Sequence, residues 1–143
     1  MTGPAPGLPL DQQPGPIVER CNLWAEARGE GALGQAAVWW VVENRAAHLL
    51  TRRSDEVLRR KQFSWTADPD TVRRALLAYR DDAVAWAAAD TVATLCEAGI
   101  VADPTKGSTH YYNAALASPA WGRGHPGWVE LVTIGRHVFG RAA

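Results

Sequence analysis

A short acidic motif, Glu26-Ala27-Arg28-Gly29-Glu30, places two carboxyl groups at the predicted end of a mostly apolar helix. Cleavage of a glycosidic bond requires a carboxyl group that donates a proton to a poor leaving oxygen near neutral pH. Partial burial beside an aromatic side chain, such as the neighbouring Trp24, raises the pKa of a carboxyl group and keeps that proton in place. On chemical grounds, either Glu26 or Glu30 could be this acid.

The two glutamates do not suit the acid and base pair of an ordinary glycosidase, whose carboxyl groups flank the scissile bond at about 5–9.5 Å. Residues four apart on a helix lie about 5–6 Å apart, but they project side by side instead of facing each other across a sugar. We therefore expect a single acid. The alternative is that Glu26 and Glu30 only cap the helix or pair with Arg28, and the short motif by itself leaves both open.

Helical patterns occupy the first two thirds of the chain. Apolar residues at helical spacing, together with N-cap signals at Ser54 and Asp68, mark where the helices begin, and Gly29 and Gly99 offer stops. These signals predict five helices, over residues 17–28, 32–50, 54–60, 68 to 77 or 79, and 81–98.

The residue composition of the chain changes after Gly99. Turn-forming residues begin there, and glycines and prolines recur through Gly127. Residues 109–112 and 133–139 are the segments there that favour short strands, the second because its side chains alternate between two faces. The pattern as a whole predicts an α+β class, mainly α-helical with a small β element.

Composition excludes several classes of protein. A length of 143 residues suits one domain, and fifteen basic residues balance fifteen acidic ones, which disfavours binding to nucleic acid. Charged residues interrupt every helical pattern, so we expect no membrane insertion. Cys21 and Cys96 lie in apolar helical patterns, where buried free thiols are expected, and nothing in the sequence indicates more than a monomer.

The first sixteen residues hold five prolines, no lysine or arginine, and no apolar run of signal-peptide length. They predict a flexible arm over 1–16, followed by a catalytic domain over 17–143. A zinc site could be imagined from His110, His125 and His137 with Asp103, but their spacing lacks the short paired intervals of such sites. We therefore expect no metal and no other cofactor.

Five short blocks stand in order between about Asn22 and Phe139. They are Glu26-Ala27-Arg28-Gly29-Glu30, Asn44-Arg45, Gln62-Phe63-Ser64-Trp65, Asp103-Pro104-Thr105 with Gly107 and His110-Tyr111-Tyr112-Asn113, and Ile134-Gly135-Arg136-His137-Val138-Phe139. Each block alone is a weak signal, but the five in this order are specific. In these blocks the chain resembles the SleB-type, spore cortex-lytic enzyme-like cell wall hydrolase family, which is similar to lysozymes and lytic transglycosylases.

The resemblance implies a lysozyme-like domain that cuts peptidoglycan between N-acetylmuramic acid and N-acetylglucosamine. It implies that Glu26 is the catalytic acid, which then acts as a base while the 6-hydroxyl of the muramic acid closes a 1,6-anhydro ring. It also implies a set of residues that bind the substrate in the cleft: Glu30, Gln62, Ser64, Trp65, His110, Tyr111, Tyr112 and Asn113. Two positions depart from the family pattern, with Ser108 in place of alanine and Gly140 in place of an aromatic residue.

Within this implied cleft, Gln62 and Ser64 would bind the sugar or its N-acetyl group. Trp65 would be a stacking wall, with core packing as an equal alternative. Of Tyr111 and Tyr112, one should face Glu26 and the other the core, because adjacent residues of a strand point to opposite faces.

Two other functions stay open at this stage. One is a muramidase that hydrolyses the same bond with water and uses another carboxylate, such as Asp103, as its base. The other is a non-catalytic peptidoglycan-binding or virion structural domain. For the enzyme we expect synthesis in the cytoplasm without a signal peptide, and action on the bacterial wall as a phage endolysin after phage-driven release.

Overall fold

Five α-helices precede a three-stranded antiparallel sheet in the computed structural model, which describes residues 3–142. The helices are α1 (Gly15–Ala27), α2 (Gly31–Leu49), α3 (Arg53–Leu58), α4 (Pro69–Asp81) and α5 (Ala83–Glu97), and the strands are β1 (His110–Asn113), β2 (Val129–Ile134) and β3 (His137–Arg141). Short 3₁₀ helices lie at Leu10–Gln12 and Ser64–Ala67. The expected class, mainly helical α+β, is confirmed.

Local signals account for the helix ends. The Asp68 side chain accepts a hydrogen bond from the backbone N–H of Asp70, and Pro69 occupies the first helical position of α4, where its missing N–H costs nothing. Helix α2 ends where Leu50 adopts a left-handed conformation with φ of 57°. The five predicted helices are confirmed, with ends displaced by a few residues.

The sheet corrects one strand prediction. Residues 133–139 were expected to form a single strand, but Gly135 and Arg136 form the turn of a hairpin between β2 and β3. Gly135 has φ of 57°, which glycine adopts readily at the first position of a two-residue hairpin loop. Ile134 pairs with His137 across this turn, so their side chains share one face of the sheet, whereas unbroken alternation would place them on opposite faces.

Strand β3 lies in the centre of the sheet, between β1 and β2. Tyr111 of β1 pairs with Phe139 of β3, and both side chains face the helices, where Phe139 packs against Ala37 and Val41 of α2. The opposite face of the sheet carries Tyr112. The sheet therefore presents one face to the helical layer, and this face contains Tyr111.

Helices α1, α2 and α5 pack against one another and form the main core. Trp86 is fully buried and Trp39 is 4% exposed, so both are core residues. Cys21 and Cys96 are buried free thiols, as expected. Within the described residues, no helix has the length and apolar character that crossing a membrane requires.

Residues 3–16 pack onto the helices, although a flexible arm was expected over 1–16; residues 1 and 2 lie outside the described residues. Leu10 is 7% exposed in the core, and the buried side chain of Gln13 hydrogen-bonds the backbone of Ala5 and Leu8. The expected boundary at residue 16 falls inside α1. Prolines in this segment limit the backbone conformations of the unfolded chain, and their presence is therefore compatible with a fixed, non-helical path.

Gly140 is the position where the family resemblance predicts an aromatic side chain, and the structure explains the glycine. A Cβ atom there would lie 2.3 Å from the carbonyl oxygen of Val129 and 2.5 Å from the ring of Trp128. The indole of Trp128 thus occupies the space that a side chain at 140 would need.

We predict that Gly140→Ala lowers the free energy of unfolding by about 1–3 kcal/mol, because the added methyl group overpacks this site. Urea denaturation measures the loss. Gly29→Ala is the matched control, since no heavy atom lies within 4 Å of a Cβ added there. Equal stability of the two variants would contradict this packing.

Candidate active site

The carboxyl group of Glu26 lies in the last turn of α1 and accepts a hydrogen bond from the hydroxyl of Tyr111 in β1, at 2.8 Å from Oε1. Glu26 is partly exposed, so its side chain is neither sealed in the core nor free in bulk solvent. Among residues 3–142 no group hydrogen-bonds to its second oxygen, Oε2. The contact therefore fixes one carboxyl oxygen and leaves the other available.

Tyr111 is held rigidly by aromatic neighbours. Its ring stacks on Phe139 at 5.3 Å between centroids, meets the edge of His137 at 5.0 Å and lies 6.5 Å from Phe63. It also packs against all three apolar clusters of the core. A side chain in such packing has one accessible rotamer, so its hydroxyl group is a fixed donor to Glu26.

Burial raises the pKa of the Glu26 carboxyl group, and the hydrogen bond from Tyr111 offsets only part of this rise. The C-terminal end of α1 acts in the same direction, because its partial negative charge disfavours an anion. Glu26 thus keeps its proton to a higher pH than an ordinary glutamate, as a general acid requires.

Burial and the negative charge of Glu26 raise the pKa of Tyr111 well above its ordinary value. Tyr111 therefore stays protonated and remains the donor in this pair. Burial also lowers the pKa of the neighbouring His137, which is neutral at pH 7. The environment of the carboxyl group on this side is consequently uncharged and aromatic.

The aromatic residue beside the Glu26 carboxyl group is not Trp24, which the sequence suggested. Trp24 points away from Glu26, with its indole N–H donating to Asp82 at 2.9 Å and the guanidinium of Arg28 over its ring at 4.1 Å. Side chains two apart on a helix project in different directions, so proximity in sequence was misleading. Tyr111 is the aromatic residue that shields Glu26.

Glu30 lies at the start of α2 and is a neighbour of the hairpin turn. Its Oε1 is 3.3 Å from Nη2 of Arg136, and its side chain is 14% exposed. The side chain of Glu30 lies against Gly34. A Cβ atom added at Gly34 would be 2.6 Å from the Cβ atom of Glu30. The two glutamates thus have separate partners, Tyr111 for Glu26 and Arg136 for Glu30.

A groove of about 580 Å³ lies at the start of β1. Thr109 and His110, which directly precede Tyr111, line it together with Arg45 of α2 and Gln62 of the loop after α3. Neither Glu26 nor Tyr111 is among the residues that line this groove. Burial and the charge of Arg45 lower the pKa of His110 to about 4, and this ring is neutral at pH 7.

The other predicted site residues divide into exposed and packed groups. Ser64 is exposed, whereas Trp65 is 5% exposed with its indole N–H donating to Asn22 at 2.8 Å. Of the two alternatives for Trp65, the structure favours core packing. Asn113 is partly buried at the end of β1, where its Oδ1 accepts a hydrogen bond from the backbone N–H of Ala115 at 3.0 Å.

Tyr112 faces away from Glu26, as adjacent residues on a strand must. It is 8% exposed and packs against Trp121 and Trp128, at 5.7 Å and 5.8 Å between ring centroids. Trp121 in turn lies 4.9 Å from the ring of His110. The cleft-facing tyrosine is therefore Tyr111, and Tyr112 belongs to an aromatic cluster on the outer face of the sheet.

Asp103 organises the loop that leads into β1. Its Oδ1 accepts hydrogen bonds from the backbone and hydroxyl of Thr105, and its Oδ2 accepts from Asn44 and the backbone of Gly107. Burial raises the pKa of Asp103, but these hydrogen bonds outweigh it and the net shift is downward. Within the described chain, no three His, Cys, Asp or Glu residues are grouped closely enough to hold a metal ion.

A model of the Cell Wall Hydrolase family matches residues 29–140. The chain belongs to this family. Membership makes the protein an enzyme that acts on peptidoglycan. The matched region includes Tyr111 and Arg136 and begins three residues after Glu26. No curated protein and no solved structure gives a match to the chain.

Sequence reasoning did not single out three residues of this cell wall hydrolase that contact Glu30, contact Tyr111 or line the groove. Arg136 pairs with Glu30, His137 packs on Tyr111, and Arg45 lines the groove. All three lie in the blocks that carry the resemblance. Their roles depend on which strand faces which helix, and only the hairpin at Gly135 reveals that arrangement.

We predict that Tyr111→Phe shifts the alkaline limb of the pH–rate profile to higher pH. Activity falls as pH rises through the pKa of the acid, and the hydroxyl of Tyr111 lowers that pKa. Its removal raises the pKa further, so the protonated form persists to higher pH. We also expect kcat to fall about tenfold or more, because the carboxyl group loses its fixed orientation.

Tyr112→Phe is the matched control, since its buried hydroxyl has no hydrogen-bond partner among residues 3–142. The profile of this variant should coincide with that of the parent. An alkaline limb that moves to lower pH in Tyr111→Phe, or an equal displacement in both variants, would contradict the assigned contact.

Proposed function

We propose that the protein is a lytic transglycosylase that cleaves peptidoglycan between N-acetylmuramic acid and N-acetylglucosamine, with Glu26 as its single acid and base. The observation that supports this proposal is the partly buried Glu26 carboxyl group with one oxygen fixed by Tyr111. A proton held on Oε2 is free to reach a glycosidic oxygen. No second carboxylate is needed for this chemistry.

In the proposed first step, Glu26 donates its proton to the glycosidic oxygen as the bond to C1 of N-acetylmuramic acid breaks. The oxygen leaves as the hydroxyl group of N-acetylglucosamine, and positive charge develops at C1 of the muramic acid. Glu26 is now a carboxylate near this charge. Tyr111 stabilises the carboxylate because it keeps donating to Oε1.

In the second step, Glu26 accepts the proton of the 6-hydroxyl group of the same muramic acid, whose oxygen bonds to C1. The product is a 1,6-anhydro ring, and Glu26 is protonated again. No water is consumed, so the reaction is balanced with one residue in both roles.

A hydrolytic muramidase would need a base to activate water, and Asp103 is the candidate that the sequence offered. Both oxygens of Asp103 accept hydrogen bonds within its own turn and from Asn44. A carboxylate whose lone pairs are so engaged, and whose pKa is lowered, is a poor base for water. These contacts favour the transglycosylase over the muramidase.

Substrate binding in this proposal would involve the other residues that the family resemblance implies. Gln62 and His110 line the groove, and the exposed Ser64 lies on the same loop as Gln62. Their polar groups would bind the sugar hydroxyl and N-acetyl groups, while Asn113 keeps its amide nitrogen for the same purpose. Glu30 with Arg136 would border the other side. That the enzyme is a phage endolysin, which reaches the wall after phage-driven release, stays a prediction.

We predict that Glu26→Gln lowers kcat on purified sacculi by about 10²–10⁴-fold, the usual contribution of general acid–base catalysis. The amide oxygen of glutamine can still accept the hydrogen bond from Tyr111, so the fold should be retained, as circular dichroism and thermal unfolding would verify. A variant that digests walls as well as the parent would support a non-catalytic binding or structural domain instead.

Glu30→Gln is the companion variant that separates the two glutamates. It weakens the ion pair with Arg136 but leaves the Glu26 carboxyl group in place. We expect it to retain far more activity than Glu26→Gln. The reverse order of activities would assign the acid to Glu30.

We further predict that mass spectrometry of digested sacculi detects muropeptides with 1,6-anhydro ends. Digestion in water enriched in oxygen-18 should leave these ends unlabelled, because no water enters the product. Reducing ends that carry the label, as the sole new termini, would refute the transglycosylase and favour the muramidase.

A further inference from the structure

The imidazole of His137 is a buried polar group that the proposed mechanism does not use. The residue is 9% exposed. Within residues 3–142 neither ring nitrogen has a hydrogen-bond partner, and neither nitrogen is sealed from solvent. Buried polar groups of folded proteins are almost always hydrogen-bonded. The ring therefore has bonding capacity that a group from outside the chain can satisfy.

Two turns that touch each other bring His137 close to the acid. Glu30 lies in the turn between α1 and α2, and its Oε2 would be 3.2 Å from a Cβ atom added at Gly135, in the turn between β2 and β3. Glu26 lies just before the first of these turns, and His137 directly follows the second. Both residues contact Tyr111, Glu26 at the hydroxyl at 2.8 Å and His137 at the ring, with 5.0 Å between ring centroids.

The register of the sheet places a second polar side chain beside His137. His137 of β3 pairs directly with Asn113 of β1, so the two side chains lie on the same face. Asn113 follows Tyr111 by two residues and therefore shares this face as well. Its Oδ1 is occupied by the backbone N–H of Ala115, whereas its Nδ2 donates to no group among residues 3–142. Tyr111, Asn113 and His137 thus form one continuous strip of the face that Glu26 contacts.

The environment of His137 keeps its ring uncharged. Burial lowers the pKa of the imidazole, while the nearby charges of Glu30 and Arg136 act on it in opposite directions. A neutral imidazole has one N–H donor and one nitrogen acceptor. Such a ring suits an uncharged polar group better than an anion. On a peptidoglycan glycan strand, the uncharged polar groups are the ring hydroxyls and the acetamido groups.

Resting on the function proposed above, we propose that His137 is a substrate-binding residue whose neutral imidazole hydrogen-bonds a hydroxyl or acetamido group of the sugar bound at Glu26. The contact would act together with Nδ2 of Asn113 on the same strip. It would hold the sugar against the edge of the sheet, on the side of the hairpin turn, while Tyr111 holds the carboxyl group.

Two substitutions at position 137 separate binding from packing. His137→Phe keeps an aromatic ring against Tyr111 but removes both nitrogens, whereas His137→Gln removes the ring but keeps a donor and an acceptor. KM and kcat are measured on soluble, uncross-linked glycan strands. His125→Phe is the matched control, because His125 is exposed in the loop whose residues Trp121 and Trp128 pack on the outer face of the sheet.

For His137→Phe we expect KM to rise roughly three- to tenfold, the effect of one lost hydrogen bond between uncharged groups. The alkaline limb of the pH–rate profile should keep its position, because the pair of Glu26 and Tyr111 is intact. His137→Gln should recover part of the lost affinity, and the control should match the parent. The reverse order, with the parent's KM in His137→Phe and a raised KM in His137→Gln, would assign His137 to packing alone and overturn the inference.

A binding measurement completes the test without turnover. Glu26→Gln with ¹⁵N-labelled histidine is titrated with a short oligosaccharide of alternating N-acetylglucosamine and N-acetylmuramic acid, and with the same oligosaccharide after removal of its acetyl groups. We expect the ring nitrogen signals of His137 to shift with the first ligand. Loss of the shift with the second ligand would support a contact with the acetamido group, and its persistence would support a contact with a hydroxyl group.

The two proposals fail in different ways. Ring signals of His137 that stay unchanged at saturation, while other signals of the protein shift, would overturn the binding role and leave the proposed function intact. A parent that cleaves no glycan strand would overturn the proposed function, and the titration would still decide whether His137 binds the sugar.

Discussion

The hydrogen bond between Tyr111 and Glu26 is the constraint on which the site depends. It joins α1 to β1 across 85 residues of sequence and fixes the carboxyl group at the seam between the helical layer and the sheet. Its formation requires a single register, because a slip of one residue would turn Tyr111 outward and bring Tyr112 to the helices. Burial at this seam raises the pKa of Glu26, and the hydrogen bond from Tyr111 offsets part of this rise.

Two consecutive residues of α2 establish that register. Asn44 donates to the carbonyl oxygen of Ser108 and to Asp103, and Arg45 donates to the carbonyl oxygen of Thr109. They therefore hold the backbone of the two residues that precede β1, while Asp103 closes the turn before them. The departure from the family at 108 fits this turn, since the serine hydroxyl donates to the carbonyl oxygen of Thr105 at 2.6 Å. Residues that do not contact Glu26 thus hold the strand that carries its partner, Tyr111.

The sequence predicted the helices better than the sheet and the surroundings of Glu26. Helical periodicity and caps are local signals, and the opposite orientations of Tyr111 and Tyr112 follow from strand alternation alone. The hairpin at Gly135 was missed because apparent alternation over 133–139 was taken for one strand, whereas Ile134 and His137 pair across the turn and share a face. The wall beside Glu26 was assigned to Trp24, whereas Tyr111 forms it, because long-range pairing has no trace in a single sequence.

The central claim is that Glu26 holds its proton to a higher pH than an ordinary glutamate. Titration of the side-chain carboxyl carbons by ¹³C NMR, with Glu26 assigned by comparison with Glu26→Gln, measures this directly. The account predicts that the pKa of Glu26 lies above the range of the exposed glutamates of the same protein. A pKa at or below that range would show a carboxylate already ionised at neutral pH, and the protein would have no acid at this position.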